Sequence, residues 1–131
     1  MPEEEGEEEN LFKVKIVQMI LTKESTDAIG MLSCHYNVEE PSLKVGMPKG
    51  HRKNLGCYVS KTKTIHITNQ DYLNNPFVIL HEFYHHLRTH GAEHRGTEKY
   101  ANRFAEDFIE AFKDYQKNIT LKRGTNNPLP S

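Results

Sequence analysis

The chain has 131 residues, a length that fits one domain with a modest core. No stretch approaches the roughly 20 apolar residues that span a bilayer, so no membrane partner is expected. The N-terminus opens on acidic residues with no basic n-region or apolar h-region, so the expected address is the cytoplasm. The net charge of −1 hides an asymmetry: six glutamates fall between Glu3 and Glu9, and without them 17 basic face 12 acidic residues. A block of like charge repels itself, so residues 1–10 are expected to be a disordered acidic tail. The mildly basic body is too weakly charged to argue direct nucleic-acid binding. The two thiols, Cys34 and Cys57, lie far apart and are expected to be unbridged in that compartment.

A single domain is expected over residues 11–120. Leu11, Val14, Val17 (or Gln18) and Leu21, then Ala28, Ile29, Leu32 and Tyr36, predict one or two helices, with a break at 23–26. Pro41 and Gly46 bracket residues 42–45, at best a short edge strand. Strands are expected over 55–60 and 64–68, joined as a hairpin, with Ile65 and Ile67 on one face and Thr64, His66 and Thr68 on the other. A helix is predicted from Asn75, a capping residue followed by Pro76, to about His90, with Gly91 as its stop. Within it Phe77, Leu80, Tyr84 and Leu87 make an apolar stripe. A polar loop over 91–96 leads to a last helix from Thr97 to about Asn118, and residues 121–131 read as a flexible tail. The fold class expected is α+β: N-terminal helices, a short mostly antiparallel sheet and two C-terminal helices.

Residues 81–85 read His-Glu-Phe-Tyr-His. This H-E-x-x-H falls inside a predicted helix, where histidines at i and i+4 share a face and reach one zinc ion. Glu82 points elsewhere around the helix, where it can take a proton from metal-bound water. Chance placement of 8 histidines and 14 glutamates gives on the order of 0.05 such matches, so the motif alone is not decisive. An ordinary amphipathic helix with a solvent-facing histidine pair is the plain alternative.

The last helix adds weight. Its apolar stripe runs Ala101, Phe104, Ala105, Phe108, Ile109, Phe112 and Tyr115, and one turn before Ala101 lies Glu98. A carboxylate on an inward face is costly unless paired or metal-bound. Placed beside His81 and His85, Glu98 completes a His₂Glu site with a fourth position open for water, the pattern of catalytic zinc. His90 and His94 remain alternatives for the third ligand. His86 faces another side of the helix. His94, Tyr84 and Tyr100 are candidate donors to a transition-state oxyanion, although both tyrosines also suit packing.

His81-Glu82-Phe83-Tyr84-His85 followed by Glu98-Lys99-Tyr100-Ala101-Asn102-Arg103-Phe104-Ala105 resembles the ImmA/IrrE family of zinc-dependent peptidases, a minimal zincin-like fold, over about residues 40–112. The resemblance implies His81, His85 and Glu98 as zinc ligands, Glu82 as catalytic base, and Asn102 in a supporting or packing role. It implies a protein or peptide substrate, with a DNA-binding repressor among the candidates. The family usually has Gly where this chain has Tyr84, so a bulky ring is expected to alter helix–sheet packing or narrow the cleft. The last helix also continues with Asp107, Glu110 and Asp114, where the family often turns apolar. Two further readings stand beside this one: a metal-stabilised module that binds a regulatory partner without cutting it, and a plain α+β domain without metal.

Overall fold

The structure is a computed structural model that describes residues 2–50, 54–90 and 98–126. Among the described residues it is an α+β fold of four α-helices and a three-stranded mixed sheet. In chain order these are α1 (Pro2–Leu21), α2 (Ser25–Tyr36), β1 (Ser42–Val45), β2 (Gly56–Val59), β3 (Thr64–Ile67), a 3₁₀ turn (Gln70–Asn74), α3 (Pro76–His90) and α4 (Glu98–Asn126).

The break between the first two helices falls where the sequence puts it. Lys23 takes a left-handed φ of 70°, and the Glu24 amide donates to the Met19 carbonyl at 2.8 Å. This closes α1 in the manner of a left-handed helix cap. The buried stripe of α1 is Val14, Ile16, Val17 and Ile20, while Leu11 is 54% exposed. The three-residue steps from Leu11 to Val14 and Val17 drift off a 3.6-residue turn, which carries Leu11 out of the core, and Leu21, the last residue of α1, is also exposed. Residues 2–10, within the stretch read as an acidic tail, form the opening of α1. Glutamate is a good helix former, and negative charge near a helix N-terminus is favourable, so the run suits this position.

Strand β3 is central and pairs with both neighbours. Ser42 of β1 lies opposite Thr64 in parallel register, and Gly56 of β2 lies opposite Ile67 in antiparallel register. The sheet is therefore mixed rather than mostly antiparallel. The β1–β3 pairing joins residues 22 positions apart in sequence, and no local turn signal reports it. Ile65 and Ile67 are fully buried, as their alternation requires.

Asn75 caps α3, its side-chain oxygen accepting from the Val78 amide at 3.2 Å. Val78, Ile79, Leu80 and Phe83 of this helix enter the core with Ile16, Ile20, Ile29, Leu32 and Phe108. Helix α4 packs along α3 and α1 through Ala101, Ala105 and Phe108. Its two buried alanines let the α3 and α4 backbones approach closely, which sets the distance across the site. Helix α4 continues to Asn126, past the end expected near Asn118. The expected stop at Gly91 and loop over 91–96 lie outside the described residues. No helix among the described residues is long and apolar enough to cross a membrane.

Candidate metal centre

His81 and His85 project from one side of α3, with ring centroids 5.0 Å apart. The first turn of α4 brings Glu98 between them. One carboxylate oxygen lies 2.7 Å from Nε2 of His81 and the other 3.1 Å from Nε2 of His85. These three donor atoms lie within 4.8 Å of one another, close enough to hold one metal ion. Two imidazoles and a carboxylate suit zinc-like divalent cations, which take such ligands at about 2.0–2.2 Å. The other ring nitrogen of His81, Nδ1, donates to Oδ1 of Asn102 at 2.9 Å. That bond fixes the tautomer and leaves the Nε2 lone pair for a ligand.

Glu98 is not the buried charge that its stripe position suggests. Its side chain is 74% exposed. Glu98 opens α4, one turn beyond Ala101, so it faces the histidines from the rim of the core and keeps access to water. The stripe gives its direction but not its depth.

Glu82 is the buried carboxylate. Only 7% of it is exposed, and one of its oxygens lies 3.9 Å from Nε2 of His81. Burial, then the nearby charge of Glu98, pushes its pKa up to about 8. Burial also pushes the His85 imidazole below its ordinary 6.5, opposed by Glu98 and aided by His81. A neutral imidazole is the form that ligates a metal.

These groups face a cleft of about 730 Å³ between α3 and β2. Gly56 makes the close approach of strand to helix possible. A Cβ there would sit 2.9 Å from Cγ1 of Val78 and 3.2 Å from both Cγ of Glu82 and the His66 carbonyl. Nothing in the sequence distinguished this glycine. Cys57 also borders the cleft, and burial, then Glu82, pushes its thiol pKa up. Cys34 and Cys57 are both free thiols, as expected, though Cys34 is exposed.

The remaining candidates are placed as follows. Tyr84 turns away from the cleft, packs on Phe104 with centroids 5.4 Å apart, and borders a separate cavity with Tyr36 and Phe108. It therefore does not narrow the cleft. Tyr100 is 49% exposed and is not among the described residues lining the cleft. His86 is fully buried. Its Nε2–H donates to the Glu39 carbonyl at 2.6 Å, and its Nδ1 accepts from the Tyr58 hydroxyl at 2.7 Å. This ties α3 to β2 and explains why His86 is not a ligand. His90 closes α3, with its side chain outside the described residues, as is all of His94.

Comparison with models of known protein families, with curated proteins and with solved structures finds no match, so the reading of this site rests on its own geometry.

Proposed function

We propose that the protein is a zinc-dependent metallopeptidase that hydrolyses a peptide bond in a protein substrate. The observation that carries this reading is the Glu98 carboxylate, spread across Nε2 of both histidines at 2.7 and 3.1 Å beside a buried Glu82. A metal site of purely structural use closes its coordination and has no need of a further carboxylate at the cleft wall. The two motifs that resemble the ImmA/IrrE family point the same way, and a DNA-binding repressor is the substrate class they suggest.

Zinc, when bound, supplies a water acidified to a pKa of about 7 and a Lewis acid for the scissile carbonyl. His81, oriented by Asn102, and His85 and Glu98 would hold it. Glu82 takes the proton of the attacking water and delivers it to the leaving amine. A divalent charge nearby favours its ionised form and so offsets the effect of burial. The sheet order β1-β3-β2 leaves the outer side of β2 unpaired among the described residues, and the cleft runs along this strand from Asn54 to Ser60. An extended peptide fits there by main-chain pairing.

Zinc-loaded protein incubated with repressors and with unfolded proteins, followed by mass spectrometry, tests the reading. Fragments are expected from the wild type and none from Glu82→Gln, which still binds zinc. Equal cleavage by both would rule out Glu82 as the base.

A further inference from the structure

The cleft differs in chemistry from one end to the other. Strand β2 and helix α3 run in the same sense along it, since Gly56 meets Val78 and Glu82 while Tyr58 meets His86 one turn later. Leu55 and Phe77 therefore share one end, and Ser60 and Thr89 the other. The Phe77 ring lies one turn before His81, with centroids 5.9 Å apart, and is only partly buried against the core. Leu55 is 47% exposed at the cleft wall. The opposite end is polar, although the Thr89 hydroxyl donates back to the His85 carbonyl at 2.8 Å. An apolar surface beside a metal-ligand set, facing a cleft rather than the core, is suited to an apolar ligand group.

We infer that Leu55 and Phe77 form a subsite for a large aliphatic or aromatic side chain of the substrate, next to the bond that is cut. This rests on the zinc peptidase reading and adds a substrate class to it: extended segments carrying an apolar residue at that position. The polar end receives small or hydrophilic residues.

The test uses the full chain loaded with zinc and three hydroxamates, which bind zinc directly. Acetohydroxamate reports the metal alone. Two succinyl hydroxamates differ only in carrying an isobutyl group or a hydrogen. Calorimetry is expected to give at least about tenfold tighter binding for the isobutyl compound, the scale of burying one leucine-sized group. Leu55→Ser is expected to remove most of that difference while leaving acetohydroxamate affinity unchanged. Leu55 is half-exposed and outside the buried core, so that variant leaves the core packing intact, and Phe77→Ser provides an independent second measurement. Equal binding of the two succinyl compounds by wild-type protein overturns the subsite and leaves the zinc site standing. Failure to bind either zinc or acetohydroxamate overturns the subsite together with the peptidase reading beneath it.

Discussion

Asn102 holds His81 by the ring nitrogen opposite the one that faces Glu98, through a 2.9 Å bond from α3 to α4. An imidazole anchored in this way presents its remaining lone pair in a fixed direction. Asn102→Ala frees the ring to rotate and to change tautomer. Zinc affinity is expected to fall by about 10–100-fold. Competition with a chromophoric chelator measures this, and an unchanged affinity would assign Asn102 to packing alone.

Zinc itself should stabilise the fold. A ligand that binds only the native state at 100 times its Kd adds about 2.7 kcal/mol. The melting temperature is expected to rise on adding zinc and to fall again with chelator. Glu98→Ala should lose most of this response. No rise in the wild type would remove the metal from the account.

The metal-free protein should carry a pH signature of Glu82. Its folded pKa of about 8 exceeds the ordinary 4.5. Between those values the native state holds more protons than the unfolded chain, so this contribution to stability is full at low pH and lost as pH rises. His85 works in the opposite sense: its lowered pKa destabilises the fold as pH drops through 6.5 and below. Glu82→Gln isolates the first effect. Its melting temperature minus that of the wild type is expected to grow from pH 5 to pH 8, reaching on the order of 5 °C or more. A flat difference would contradict the buried placement of Glu82.

Gly56→Ala tests the contact between β2 and α3. The added methyl meets Val78 Cγ1 at 2.9 Å, an overpacking that costs about 1–3 kcal/mol. Val78→Ala removes that atom. The double variant is therefore expected to be more stable than the sum of the single changes, by about 1 kcal/mol in denaturant titrations. Simple additivity would mean that the strand moves away instead.

Local patterns in the sequence carried much of this architecture. Asn75-Pro76 marked the start of α3, the alternation of Ile65 and Ile67 marked β3, and His81 and His85 shared a face by helical spacing alone. Glu98 was reachable because an apolar stripe extends backward to it. What escaped depends on neighbours distant in the chain. The parallel pairing of Ser42 with Thr64 has no local signal, and the need for glycine at position 56 arises only once α3 lies across it. The helix over the glutamate run of α1 rests on helix propensity and the helix dipole, which a reading by charge repulsion alone does not weigh. Tyr84 and Tyr100 were grouped with the site by proximity in sequence, and rotation about the helices takes Tyr84 away from the cleft.

The division of labour between two helices has a mechanical consequence. α3 supplies both imidazoles, and α4 supplies the carboxylate and the amide that steadies one of them. No single segment can hold the ion well alone, so metal affinity becomes a gauge of how firmly the helices are docked. Any event that prises α4 from α3 would release the ion and silence the site at once, and capturing an ion would latch the pair shut.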